Sequence, residues 1–141
     1  MPQACYRELT SYKYQLVKDY EIQTDITPPR DLIFDFVGLT SQGRLGIKKN
    51  YAWDGPSGPT IDTRNFMRGS LVHDALYQLM RLGALDYKVY RQRADELLRD
   101  ICREDGMSSF RSWYVYQGVR LFGERNAHPV PEPEVKIICV P

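Results

Sequence analysis

Apolar residues recur every three to four positions in the second half of the chain, which is the pattern of amphipathic helices. The first such stretch runs from about residue 63 to residue 82. Its apolar positions are Phe66, Met67, Leu71, Val72, Ala75, Leu76, Leu79 and Met80. A second stretch covers about 87–103, and a third, rich in aromatic residues, covers roughly 108–122. The spacing therefore predicts three helices.

The first fifty residues show a different pattern, in which β-branched and aromatic residues partly alternate with polar ones. Such alternation is typical of strands that bury one face. It predicts strands over 14–22, 31–38 and 44–51, joined as a small antiparallel sheet. Pro28 and Pro29 lie between the first two stretches, where the loss of backbone N–H donors predicts a loop.

Proline is frequent at the end of the chain, where residues 128–141 read HPVPEPEVKIICVP. This composition disfavours a helix and predicts an extended arm that ends in a short edge strand. The whole pattern predicts an α+β fold in a single domain, residues 1–141. Its parts are a small N-terminal antiparallel sheet (1–52), a loop with a three-helix core (53–124) and the extended proline-rich C-terminal arm (125–141).

The composition is that of an ordinary globular domain, with 43% hydrophobic and 26% charged residues, so neither disorder nor a fibrous structure is indicated. Nineteen basic residues balance 18 acidic ones, which excludes a general attraction to nucleic acid or anionic membranes. No segment has the roughly 20 apolar residues that span a bilayer. Cys5, Cys102 and Cys139 are odd in number and far apart in sequence, which favours reduced thiols in a cytosol.

Candidate chemistry concentrates on the first two helices. His73 and Tyr77 lie four residues apart and share a helix face, with Asp74 about a quarter turn away. If the second helix packs antiparallel to the first, Asp95 can fix the tautomer of His73 and support the imidazolium that forms when it takes a proton from water. The irregular segment 53–60 can turn backbone carbonyls towards a hard cation, and Asp74 could complete the shell. These residues predict a water-activating dyad beside a metal site.

Each of these residues also has a structural interpretation. A single histidine on a helix is usually a satisfied or exposed residue, and Asp74 can simply face solvent. Asp95 can pair with Arg91 one turn earlier, and Tyr77 and Trp53 can be ordinary core or rim aromatics. What favours the joint interpretation is the order of loop, His-Asp helix and second-helix aspartate along the chain.

From Tyr51 to about Phe122 the chain resembles a phage and prophage family, Domain of Unknown Function family 1353. The resemblance is carried by Asp54 with Ser57, by His73-Asp74-Ala75-Leu76-Tyr77, by Ala94-Asp95 and by the aromatic helix from Trp113 to Gly123. It implies a phage- or prophage-encoded protein that acts in the host cytoplasm or is incorporated into the virion.

The order of loop, HDxxY helix and AD helix is also distantly similar to phospholipases of the A-two class, parvoviral type. Those are calcium enzymes in which a histidine activates water. The resemblance implies His73 as the base, Asp95 as its partner and Tyr77 as the buttress of Asp95. It also implies calcium as the cofactor, held by Asp74 and by carbonyls near Asp54, Gly55 and Gly58.

Two functions remain open at this point. One is a calcium-assisted hydrolase of a phospholipid or other ester. The alternative is a non-catalytic virion structural or accessory protein that docks onto tail or neck proteins through the aromatic third helix and the C-terminal arm. Nucleic-acid binding is a third and less supported function. The basic residues of the second helix alternate with acidic ones, which favours local ion pairs on a solvated face. These basic residues are Arg91, Arg93, Arg99 and Arg103.

Overall fold

The computed structural model of the chain describes residues 4–6, 14–53, 64–129 and 138–140. The strands among these residues are β1 (Ala4–Tyr6), β2 (Tyr14–Gln15), β3 (Tyr20–Gln23), β4 (Leu32–Ile33), β5 (Val37–Leu39), β6 (Arg44–Ile47), β7 (Ala52–Trp53) and β8 (Ile138–Val140). The helices are α1 (Arg64–Arg81), α2 (Tyr87–Glu104), α3 (Ser109–Phe122) and α4 (Glu124–Ala127). The predicted α+β fold, with antiparallel sheet ahead of the helices, is confirmed.

The described strands form three separate sheets, whereas the hydrophobic pattern predicts one. Four strands form one antiparallel sheet in the order β3-β6-β5-β4, while β2 pairs with β7 and β1 with β8. The predicted continuous strand over 31–38 is wrong, because the N–H of Phe34 donates to the carbonyl of Val37 and turns the chain back into a β4–β5 hairpin. The stretch 14–22 is likewise interrupted between β2 and β3, and in the stretch 44–51 only the first four residues form a strand, β6.

One continuous core joins the sheet to the first two helices. Leu39, Leu45 and Ile47 of the sheet are buried together with Leu76 and Leu79 of α1. Each fully buried side chain of this size contributes roughly 1.5–3 kcal/mol. The alternation in β6 and the helical spacing in α1 therefore predict the buried faces correctly.

A tight connection sets α1 against α2. Gly83, with φ of 74°, follows the end of α1, and the carboxylate of Asp86 caps α2 by accepting from the N–H of Lys88 at 2.9 Å. Because so short a connection makes consecutive helices antiparallel neighbours, residues near the middle of α1 come to lie beside residues near the middle of α2.

The two helices lie close together at Gly69. A Cβ atom there would lie 2.8 Å from Sγ of Cys102 and 3.0 Å from Cδ1 of Leu98, whereas one at Gly118 of α3 would meet nothing within 4 Å. Both substitutions to alanine improve helix propensity, but only Gly69→Ala overpacks the interface. We expect Gly69→Ala to lower the free energy of unfolding by about 1–3 kcal/mol relative to Gly118→Ala. Urea unfolding measures both, and equal effects would contradict this packing.

The third helix has an apolar surface that the rest of the described structure leaves uncovered. Only Ser112 and Val115 are buried in α3, and the Ser108 side chain caps this helix by accepting from the N–H of Arg111. Five of its large apolar residues are more than half exposed, namely Phe110, Trp113, Tyr114, Leu121 and Phe122. Contiguous exposed apolar residues of this size usually mark a binding surface.

The C-terminal arm was predicted to be extended from residue 125, and at its start this is wrong. The chain instead forms the short helix α4, in which Ala127 is buried and the carbonyl of Asn126 accepts from Arg81 at 3.0 Å. The contact with α1 stabilises α4. The proline content of the arm gives no sign of such a contact, so the helix was not predicted. Residues 130–137 lie outside the described residues, and the predicted terminal strand is present as β8.

The strand near the N-terminus pairs with the strand near the C-terminus, which brings together two cysteines that are far apart in sequence. In the antiparallel β1–β8 pair, Cys5 is directly opposite Cys139. Sequence separation concealed this, because a pairing between the first and last strands of a chain has no local signal. Cys102 is a buried free thiol elsewhere, on α2.

Candidate functional site

The packing of α1 on α2 brings three of the predicted site residues together. Nε2 of His73 lies 2.7 Å from Oδ1 of Asp95, and the hydroxyl of Tyr77 donates to the same oxygen at 2.6 Å. Asp95 is fully buried, while His73 is 7% exposed. The rings of His73 and Tyr77 also contact each other, with centroids 4.1 Å apart, as expected for residues one helical turn apart.

The carboxylate of Asp95 is held in its ionised form. Burial alone would raise its pKa, but hydrogen bonds from His73, Tyr77 and Arg120 outweigh burial and lower the pKa below the ordinary carboxyl value. Burial and the neighbouring carboxylate raise the pKa of Tyr77, so that the phenol keeps its proton. Since an ionised carboxylate can only accept, Nε2 of His73 carries the proton of their hydrogen bond.

Two arginines complete the surroundings of the carboxylate. Nη1 of Arg120, on α3, donates to Oδ2 of Asp95 at 2.9 Å. Nε of Arg91 donates to the hydroxyl of Tyr77 at 3.1 Å, and Nη2 of Arg91 donates to the carbonyls of Val119 and Arg120 in the last turn of α3. These arginines thus hold α3 against the buried pair.

The sequence did not point to Arg120, and it suggested Arg91 as an alternative partner of Asp95 and as one of the basic residues of the second helix. Arg91 does lie near Asp95, but at 4.0 Å, and its shorter bonds are to Tyr77 and α3. The four-residue spacing to Asp95 was therefore a partial signal for Arg91. No pattern distinguishes Arg120 from the other arginines, because its role depends on how α3 packs.

The arrangement leaves one nitrogen of His73 for chemistry. Nε2 is engaged by Asp95, whereas Nδ1 has no hydrogen-bond partner within the part of the chain that the structure describes. In the neutral ring with Nε2 protonated, Nδ1 is an acceptor. It can take a proton from water, and the buried carboxylate stabilises the imidazolium that results.

The predicted metal ligands are only partly described. Asp74 is half-buried on α1 and has interactions with its surroundings. Asp54, Gly55 and Gly58 lie outside the described residues. Among the residues described, no three His, Cys, Asp or Glu side chains form a group that could hold a metal ion.

Trp53 was predicted to begin the irregular loop, and this is wrong. It is the last residue of β7, where its buried indole N–H donates to the hydroxyl of Ser70 on α1 at 3.2 Å. Tyr14, its partner across the β2–β7 pair, lies beside it with ring centroids 5.7 Å apart. The strand ending at Trp53 is therefore tied to α1 one turn before His73.

The lowered pKa of Asp95 predicts an acid-sensitive contribution to stability. Because the unfolded carboxyl, with a pKa of about 3.9, binds a proton more readily, the contribution is fully present above that value and is lost as pH falls through the folded pKa. We expect the stability difference between wild type and Asp95→Asn, measured by urea unfolding, to narrow progressively below about pH 5. A difference that does not change with pH would contradict this assignment.

Comparison with known proteins gives a family and no activity. A family model described as "Protein of unknown function (DUF1353)" matches residues 42–119. No curated protein and no solved structure matches the chain. Among the described helices, none has the length and apolar character needed to cross a membrane.

The family match includes β6, β7, α1, α2 and most of α3, and thus all the residues around Asp95 except Arg120. Because it covers more than half of the 141 residues, the chain belongs to the DUF1353 family of proteins of unknown function.

Proposed function

We propose that this protein hydrolyses ester bonds, with phospholipids as the substrate class and His73 as the general base. The observation that carries the proposal is the bond between Nε2 of His73 and the buried Asp95, which is itself fixed by Tyr77 and Arg120. A purely structural role for Asp95 would not require His73 to be oriented so that Nε2 binds the carboxylate and Nδ1 stays available as an acceptor. The distant similarity to phospholipases of the A-two class supports the choice of a lipid ester.

The proposed reaction uses the residues as follows. Nδ1 of His73 accepts a proton from water while the water oxygen attacks the ester carbonyl carbon. Asp95 stabilises the imidazolium without itself becoming protonated. The imidazolium then returns the proton to the leaving alkoxide as the ester C–O bond breaks. One water and one ester thus give one carboxylic acid and one alcohol, and the base is regenerated.

The direct test is fatty-acid release from phospholipid vesicles in the presence of millimolar calcium. We expect wild type to release fatty acid and His73→Gln to lose the activity, by roughly 10²–10⁴-fold. His128→Gln is a matched control. His128 is exposed and pairs with Glu124 at 3.5 Å, and it makes no contact with Asp95 among the described residues. Release that is absent in wild type, or equal in His73→Gln, would refute the proposal.

Calcium is the cofactor that we propose, with Asp74 as its side-chain ligand and the carbonyls of Asp54, Gly55 and Gly58 as further ligands. Bound calcium would supply positive charge for the developing oxyanion. A ligand that binds only the native state raises the melting temperature. We expect calcium to raise the midpoint of wild type but not of Asp74→Ala; an unchanged wild-type midpoint would remove calcium from the proposal.

A second candidate function is docking within a virion as a structural or accessory protein of the tail or neck. The observation that favours it is the exposed apolar surface of α3, formed by Phe110, Trp113, Tyr114, Leu121 and Phe122. Aromatic residues of this kind are enriched at the centres of protein interfaces.

Mass spectrometry of particles from the encoding phage or induced prophage tests the second candidate. We expect the chain to be present in wild-type particles and depleted when Trp113 and Phe122 are both changed to serine. Val17→Ser is the matched control, since Val17 is an exposed apolar residue at the other end of the chain. Particles that lack the wild-type chain would eliminate the docking role.

A further inference from the structure

The strands at the two ends of the chain form a sheet of their own. β1 and β8 pair antiparallel through three residue pairs, Ala4 with Val140, Cys5 with Cys139 and Tyr6 with Ile138. The central pair consists of two cysteines. The chain contains three cysteines in all, and two of them occupy this one register position.

Directly opposed positions of an antiparallel pair satisfy the first requirement of a disulfide. Positions paired in this way have Cα atoms about 4.5–5.5 Å apart. Disulfides are found with Cα separations of about 4.4–6.8 Å. The register of β1 and β8 therefore brings the backbones of Cys5 and Cys139 within the Cα range that a disulfide requires.

We propose that Cys5 and Cys139 are a redox site, at which a reversible disulfide links the first strand of the chain to the last. The two thiols lose two protons and two electrons as the S–S bond forms. A disulfide of the glutathione class is the oxidant, and it is reduced to two thiols by exchange through a mixed disulfide.

The bond would add most to strands as short as β1 and β8, which pair through only three residue positions each. A two-stranded sheet of this size is marginal by itself. The covalent link would close a loop of more than 130 residues, which greatly reduces the freedom of the unfolded chain. Oxidation would thus fasten the C-terminal strand in place, and reduction would release it.

The third cysteine serves as an internal reference. Cys102 is fully buried on α2, and burial raises the pKa of its thiol to about 12. Because the thiolate is the species that exchanges with disulfides, Cys102 should remain reduced under conditions that oxidise the pair. Alkylation of Cys102 should therefore be constant, so that any loss of alkylatable thiols reports on Cys5 and Cys139.

The experiment equilibrates the full chain with a series of reduced and oxidised glutathione ratios, then alkylates free thiols and records intact mass and the melting temperature. We expect wild type to lose two alkylatable thiols together, to yield a Cys5–Cys139 cross-linked peptide, and to melt on the order of 10 °C higher when oxidised. Cys102→Ser should behave as wild type. Cys5→Ser and Cys139→Ser should each show no oxidation-dependent rise.

Three results would overturn the proposal. One is that Cys5 and Cys139 remain free under the most oxidising buffer. Another is that either cysteine pairs with Cys102 or with a second chain in preference to its cross-strand neighbour. The third is that the bond forms but the melting temperature is unchanged, since β1 and β8 would then not be paired in the reduced protein as described.

Discussion

Asp95→Ala is expected to destabilise the fold by about 3–5 kcal/mol, the range found when one member of a buried charged pair is removed. The carboxylate is fully buried and accepts hydrogen bonds from His73, Tyr77 and Arg120. Without it, three donors lose their acceptor in a region that water does not readily reach, and the arginine charge lacks its counter-ion. Because most domains are stable by only about 5–15 kcal/mol, this is a large share of the total.

Asp100→Ala is the matched control for this prediction. Asp100 lies on the same helix, but its side chain is about half exposed and pairs with Arg93 and Arg99 at the surface. Exposed pairs of this kind contribute little, so we expect a change within about 0.5 kcal/mol. Urea unfolding at neutral pH compares the two variants. Similar effects at Asp95 and Asp100 would show that the buried network is not a principal source of stability.

Asp95→Asn is expected to reduce the proposed ester hydrolysis by roughly 10²–10⁴-fold. An amide has one acceptor oxygen, whereas the carboxylate accepts from His73 and Tyr77 on Oδ1 and from Arg120 on Oδ2. If the amide nitrogen faces His73, it favours the tautomer protonated on Nδ1, which cannot accept a proton from water. If the nitrogen faces Arg120 instead, two donors oppose each other and the support of His73 is weakened.

The rate of fatty-acid release at saturating and at limiting lipid separates this effect from a loss of binding. We expect kcat to fall while KM changes little, because Asp95 is buried and cannot contact the lipid. Asp100→Asn controls for charge on the same helix and should keep wild-type activity. A variant Asp95→Asn that folds and hydrolyses lipid as fast as wild type would show that Asp95 serves stability alone.

Much of the helical part was predictable because its cause is local. The apolar spacing of α1 and α2 is set by the helical repeat, and the turn at Gly83 follows from a residue that tolerates positive φ. The strands were less predictable, since where a strand breaks depends on turns such as Phe34 to Val37. The helix α4 was missed because it is stabilised by contacts with α1 rather than by its own sequence.

The candidate site likewise contains residues that local sequence predicts and residues that only long-range packing brings together. His73 and Tyr77 could be placed together from their spacing on one helix, and Asp95 could be added because a short connection makes the helices antiparallel. Arg120 could not, because it reaches Asp95 from a third helix whose orientation is set by long-range packing. The facing of Cys5 and Cys139 was equally hidden, since it arises from the pairing of the chain's two ends.

The proposed chemistry depends on Asp95 fixing the His73 imidazole with its proton on Nε2, so that Nδ1 can act as the base. Long-range ¹H–¹⁵N NMR of the two histidines tests it directly in alkaline solution, where a neutral imidazole carries one N–H proton. His73→Gln assigns the signals. We expect a single His73 tautomer, protonated on Nε2, in wild type and its loss in Asp95→Asn. A ring protonated on Nδ1, or one averaging between tautomers in wild type, would contradict it.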